Sequence, residues 1–300
     1  MTIGIPRSLF YYRYQTLIKT FLNELDINYI ISSPSTKETL ENGKKLVSDE
    51  ACTSLKLFMG HIKDLENKCD NILVPHLRCI KKDEKMCTNF YLIYDLVKNS
   101  SSKNIIDLCI DEDKLKCEKL AFIKLGLYLG NPYNKTVSAY NRAKEKEKKV
   151  LENKIKKQEK ILKNKEKKIL IASHPYNIYD EYLGKPLIKI LKENKINIIY
   201  SDIYDKANIE KDILSISKDV YWTLNKEIIG AISKYKSKID GIILFTSFPC
   251  GPDSITNELI LRKINSPAIN ILIDEQTSET GLITRLESFI DIINKEKTYE

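Results

Sequence analysis

Short apolar runs alternate with amphipathic stretches along this chain, and that alternation constrains its fold more than any other feature. In the first third, Ile3 to Ile5, Ile27 to Ser32, Asn71 to Val74 and Ile105 to Ile110 read as strands. Between them, Leu9 to Leu25, Thr36 to Leu46, the stretch holding Leu55, Leu57, Phe58 and Ile62, and Phe90 to Val97 place apolar residues at helical spacing. The rhythm returns with strands predicted over Lys168 to Ser173, Ile196 to Tyr200, Gly241 to Phe245 and Pro267 to Ile273. Helices are predicted over Leu183 to Glu193, Val220 to Tyr235, Ile255 to Lys263 and Gly281 to Asn294. Strands separated by helices pair in parallel through crossover connections. The pattern predicts an α/β protein of two Rossmann-like lobes with parallel sheets, residues 1–114 and 168–300. A helical segment, 115–167, joins them and is broken only by Gly130-Asn131-Pro132.

Composition locates the charge. The chain of 300 residues carries a net charge of +8, and residues 142–168 hold thirteen Lys or Arg against five Glu, which accounts for the whole excess. Val150, Leu151, Ile155, Ile161 and Leu162 recur there at roughly helical spacing, the mark of a long solvated helix with one apolar stripe. No aromatic residue interleaves these lysines, so the segment lacks a base-stacking surface and no nucleic-acid partner is expected. The opening residues lack the basic start and apolar core of a signal peptide, and no 18-residue apolar run occurs. These features predict a cytoplasmic protein without a membrane partner. Neither G-x-G-x-x-G nor G-x-x-x-x-G-K-[ST] is present, so dinucleotide and P-loop nucleotide binding lack support.

The candidate chemistry lies in the cysteines. Phe248-Pro-Cys250-Gly-Pro-Asp253-Ser254 follows a predicted strand and precedes a predicted helix capped by Asp253 or Ser254, at the strand end where open sheets build ligand sites. A thiol held there near backbone N–H groups favours thiolate, the form that binds metals. Cys52 and Cys87 stand at comparable strand-to-helix junctions of the first lobe. None of the seven cysteines forms a C-x-x-C pair, so a metal must be gathered from distant parts of the fold. Three thiolates at three strand ends can converge in a cleft between lobes and suit a cubane cluster. Burial as a small hydrophobe is the competing reading of each. Cys69 on an amphipathic helix, Cys109 in an apolar strand and Cys117 on a helix read as structural. Cys79 is expected in the same loop as Cys87 and is an alternative ligand. His174, after the first strand of the second lobe, reads either as a loop-fixing hydrogen-bond donor or as a proton carrier. Asp180-Glu181 and Asp274-Glu275 read as helix caps or site carboxylates.

Taken together, Ile3-Gly-Ile-Pro-Arg7, Asp49-Glu-Ala-Cys52 with Lys56 and Gly60-His61, Met86-Cys87, His174-Pro-Tyr-Asn-Ile-Tyr-Asp-Glu181, Cys250-Gly-Pro-Asp-Ser254 with Glu258, and Ile273-Asp-Glu275 resemble one family, in order along nearly the whole chain. It is the acyl-CoA dehydratase activase-related group, akin to the iron-sulfur subunits of 2-hydroxyacyl-CoA dehydratases and to double-cubane cluster proteins. The resemblance implies a protein of anaerobic metabolism with an iron-sulfur cluster, [4Fe-4S] or double-cubane, ligated by Cys52, Cys87 and Cys250. It implies an ATP-hydrolysing activase as electron donor and a dimer with a homologous subunit or with itself. Low-potential electrons would pass to a small substrate or an acyl-CoA, in a dehydratase or reductase component. His174, Tyr176 and Asp253 would position groups or transfer protons. Thr53-Ser54 and Thr88-Asn89 follow the first two cysteines where the family usually has a nearby proline, which also admits a non-catalytic subunit paired with a larger cluster-bearing homologue.

Overall fold

The computed structural model describes residues 1–296 and divides the chain into two compact units. The first holds Met1–Glu152 with Tyr221–Thr223, and the second begins at Asn153 and holds the rest. In the first unit, β1 (Ile3–Ile5) leads through α1 (Tyr11–Glu24), β2 (Tyr29–Ile31), α2 (Lys37–Lys44) and α3 (Thr53–Leu65) to β3 (Asn71–Lys81) and β4 (Glu84–Lys85). Then come α4 (Thr88–Tyr91), α5 (Ile93–Ser100), β5 (Asn104–Asp111), α6 (Glu118–Tyr128) and α7 (Tyr133–Leu162). Strands β2, β1, β3 and β5 pair in parallel in that order, while β4 folds back antiparallel on the end of β3.

Local chemistry explains these boundaries. Thr36 and Thr39 form a capping box at the start of α2, each side chain serving the other's backbone N–H. Between α6 and α7, Gly130 adopts φ +81, and Asn131 N–H returns to the carbonyl of Gly126 at 3.0 Å, so the left-handed glycine closes the helix. Helices α2 and α3 cross at van der Waals contact. A Cβ on Gly43 would lie 1.7 Å from the Lys56 carbonyl oxygen, and one on Gly60 would lie 1.9 Å from that of Thr39. The basic segment forms the later part of α7, which runs through the boundary between the units.

Strand β3 is longer than the apolar run Asn71 to Val74 predicts. It continues through Pro75 because its register with β1 ends at Ile72, so the missing proline N–H breaks no bond on that flank. Pairing with β5 goes on through Pro75↔Leu108 and His76↔Cys109. Cys79 therefore sits in a strand instead of in the loop with Cys87, and Cys69 lies beyond the end of α3 instead of on a helix.

The second unit contains β6 (Lys168–Ala172), α8 (Pro175–Ile178), α9 (Lys185–Glu193), β7 (Asn197–Tyr200), α10 (Ile209–Asp212), α11 (Thr223–Tyr235), β8 (Gly241–Ser247), α12 (Gly251–Leu261), β9 (Ala268–Ile273) and α13 (Glu279–Glu296). Its sheet is parallel throughout, in the order β7-β6-β8-β9. Leu170, Ile199, Ile242 and Leu244 of the strands pack with Ile229, Ile232 and Ile260 of α11 and α12 to form a buried core. Gln158 lies in the part of α7 that belongs to this unit. Its side-chain amide donates to the carbonyls of Tyr200 and Ile203 at 3.0 and 2.6 Å and accepts from Tyr200 N–H at 2.8 Å. The fold is α/β with two parallel sheets flanked by helices. Among the described residues, no helix is long and apolar enough to cross a membrane.

Candidate functional site

The strand order of the second unit reverses at β6, so the switch point lies between the carboxyl ends of β6 and β8. His174 follows β6, and the loop after β8 carries Cys250, so the chain delivers both to this point. Helix α12 begins at Gly251, four residues earlier than the apolar pattern indicates, with Cys250 at its N-cap. Pro252 in the first turn explains the extension, because a proline there loses no helical hydrogen bond. Asp253 is consequently inside the first turn and is not the cap. The peptide between Phe248 and Pro249 is cis.

Buried Asp253 is the hub of the site. Its Oδ1 lies 2.7 Å from His174 Nε2 and accepts from Asn225 Nδ2 at 2.7 Å, and the Cys250 thiol hydrogen-bonds to the same carboxyl group. Burial alone would raise the pKa of Asp253, but the His174 charge and the hydrogen bonds from His174, Asn225 and Cys250 outweigh it and hold the carboxyl below its ordinary value. Tyr176 stacks on the His174 ring with centroids 5.0 Å apart and planes inclined by 22°. Nδ1 of His174 is buried without a hydrogen-bond partner among the described residues. With Nε2 turned to the carboxylate, Nδ1 is the atom left to accept or release a proton. Sequence reading places His174, Tyr176, Cys250 and Asp253 here and misses Asn225. The available signal was one amide among Leu224, Ile228, Ile229 and Ile232 at the start of α11.

Cys52 and Cys87 are brought to one region of the first unit. Each is an N-cap, of α3 and α4 respectively, with φ and ψ of −64° and 149° for Cys52 and −64° and 160° for Cys87. Ala51 and Thr88, next to them in the chain, line one cavity of about 330 Å³ with Glu50, Leu55, Asn89 and Leu92, and the two thiols stand behind this lining. Cys52 is buried and Cys87 is partly exposed. Lys56 donates to the Asp49 carbonyl at 2.6 Å and ties the loop before Cys52 to α3. His61 has both ring nitrogens engaged, Nδ1 with Ser32 Oγ at 2.8 Å and Nε2 with Ser35 Oγ at 2.9 Å, and burial lowers its pKa to about 4.

The other predicted residues fall elsewhere. The Cys79 thiol donates to the Lys81 carbonyl at 2.8 Å, and burial pushes its pKa up. The Cys69 thiol donates to the Leu65 carbonyl at 3.3 Å. Asp180 Oδ1 accepts from the N–H groups of Tyr182 and Leu183, and Asp274 Oδ1 accepts from Gln276 N–H and the Thr277 hydroxyl, so both carboxylates close turns.

A family model described as "CoA enzyme activase uncharacterised domain" matches residues 2–203, two thirds of the chain. The chain belongs to this family. In this CoA enzyme activase-type chain the matched span includes Cys52, Cys87, His174 and Tyr176, whereas Asn225, Cys250 and Asp253 lie beyond it. No curated protein matches the chain. Among solved structures, the SBP FpvC from Pseudomonas aeruginosa in complex with Mn2+ is 10% identical, with 99% of each chain covered and a TM-score of 0.32. UDP-GlcNAc 2-epimerase from Methanocaldococcus jannaschii is 13% identical, with 96% of this chain and 92% of that chain covered and a TM-score of 0.24.

Proposed function

We propose that this activase-family chain is an iron-sulfur protein of the 2-hydroxyacyl-CoA dehydratase type, with Cys52, Cys87 and Cys250 as ligands. The observation that carries the reading is that residues beside two helix N-caps, Cys52 and Cys87, line one cavity; their backbone angles are shared by Cys117, the N-cap of α6, so the cavity and not the angles marks them. Thiolates are the donors such clusters require, so the residues present fit the group. Cys250 supports the reading from the second unit, where its helix-capping position repeats theirs. When bound, the cluster would supply single low-potential electrons, received from an ATP-hydrolysing activase.

The chain's own residues hold and protonate. Cys52, Cys87 and Cys250 would give up their thiol protons on ligation. Asp253, its carboxyl held ionised by His174 and Asn225, fixes the imidazole so that Nδ1 carries the exchangeable proton, and Tyr176 fixes the plane of the ring. Acyl-CoA is the substrate class that the dehydratase reading implies, and the family description names a CoA enzyme.

Iron and acid-labile sulfide, measured on protein purified without oxygen and combined with EPR after dithionite reduction, test the reading. Comparable iron and sulfide in the wild type, lost in Cys52→Ala, Cys87→Ala and Cys250→Ala and kept in Cys69→Ala, are expected. Iron-free protein after reconstitution would overturn it. That result would favour an accessory subunit paired with a larger homologue, a reading supported by Thr53 and Ser54, both buried directly after Cys52.

A further inference from the structure

Parallel pairing of β3 and β5 places three metal-ligating side chains on one patch of the first sheet. His76 and Cys109 are register partners, and Asp107 is two residues before Cys109 and so on the same face of β5. Their ligand atoms, a ring nitrogen of His76, a carboxylate oxygen of Asp107 and Cys109 Sγ, lie within 4.8 Å of one another. The His76 to Asp107 distance is 3.1 Å. A zinc ion bound at about 2.0–2.3 Å from N, O and S donors spaces its ligands over much the same range.

The surroundings of His76 are those of a metal ligand. Its Nε2 lies 2.8 Å from the Tyr91 carbonyl oxygen, the second contact that fixes a ligating imidazole by accepting its other N–H. Arg78 Nε is 3.0 Å from the same nitrogen, so Nε2 either donates to Tyr91 or accepts from Arg78. The first arrangement turns Nδ1, with the proton it shares with Asp107, toward Asp107 and Cys109, where a metal ion would displace that proton, while Arg78 keeps its place over the Tyr91 ring, 4.6 Å from the centroid. Tyr94 stacks parallel to the imidazole at 6.1 Å and 8°. His76 is buried, Cys109 is half-buried and Asp107 is exposed, and among the described residues β5 pairs with no strand but β3, so solvent reaches the patch from the strand edge.

We infer that His76, Asp107 and Cys109 form a second metal site, separate from Cys52, Cys87 and Cys250, which takes a borderline divalent ion such as zinc. Imidazole, carboxylate and thiolate together suit zinc over magnesium or calcium, which prefer all-oxygen shells. Three protein ligands leave a fourth tetrahedral position for water. Binding would release the Cys109 thiol proton and the proton shared by His76 and Asp107.

Isothermal titration of the full-length protein with Zn2+, and the thiolate-to-metal absorption of its Co2+ form, test the site. The titrations use a Cys52→Ala, Cys87→Ala, Cys250→Ala background, which removes the proposed cluster ligands and makes the result independent of that reading. One equivalent should bind in that background. Affinity should fall by at least about tenfold when Asp107→Asn or Cys109→Ser is added, and binding should be lost with His76→Gln. Adding Cys79→Ser should leave it unchanged. Asp107 is exposed, so Asp107→Asn keeps the test valid if His76→Gln does not fold. No stoichiometric binding in the background, or binding that Asp107→Asn and Cys109→Ser leave unaltered, overturns the inference.

Discussion

His174 Nε2 and Asp253 Oδ1 stand 2.7 Å apart, joining the end of β6 to the first turn of α12 within a buried polar cluster. Seventy-nine residues separate the two in the chain, so the contact exists only because β6 and β8 are neighbours in the sheet. Three donors converge on one carboxyl group there, so a change at Asp253 disturbs all three.

Replacing Asp253 with alanine should therefore destabilise the protein by about 3 kcal/mol, since a buried pair broken on one side leaves its donors unmatched. The folded carboxyl titrates below its ordinary value of 3.8, so its contribution is present above that value and is lost as pH falls through the folded one. Urea unfolding at a series of pH values should show the wild type losing stability in that acid range, and Asp253→Ala losing less. Equal acid sensitivity in both proteins would contradict the assignment.

His61 gives the first unit a different acid dependence. Its pKa falls from 6.5 unfolded to about 4 folded because burial disfavours the imidazolium. The folded state thus binds fewer protons between these values, so the stability is full above about 6.5 and declines as pH drops toward 4. His61→Gln, which keeps a donor and an acceptor for Ser32 and Ser35, should flatten thermal-unfolding midpoints over that interval.

The crossing of α2 and α3 leaves no room for a methyl group. Gly43→Ala and Gly60→Ala should each cost at least about 1–3 kcal/mol, as overpacking against backbone does. Chemical denaturation would register the loss. An unchanged midpoint in either variant would mean that the helices do not touch at these glycines.

Gln158 makes three hydrogen bonds to the end of β7 and the turn after it. Removing its amide in Gln158→Ala should leave buried carbonyls unsatisfied and cost about 2 kcal/mol. The substitution lies in the basic stretch of α7, so Lys157→Ala at the exposed neighbouring position is the control expected to change stability by less than about 0.5 kcal/mol.

The alternation of strand and helix is legible in consecutive residues, because burial on both faces of a parallel sheet demands apolar runs such as Lys168 to Ser173 and Gly241 to Phe245. It also marked His174, Cys250 and Asp253, since loops after parallel strands are where polar groups can meet without breaking a ladder. Tertiary structure alone decided which of these touch. Asn225 reaches Asp253 from a helix whose sequence pattern reads as ordinary core, and Cys109 lies beside His76 through a strand register that no local spacing encodes. The extension of β3 past Pro75 was likewise hidden, because a proline ends a strand in sequence terms unless the neighbouring strand has already stopped. Local propensity is written in consecutive residues, whereas register and side-chain convergence depend on strands and helices that are far apart in the chain.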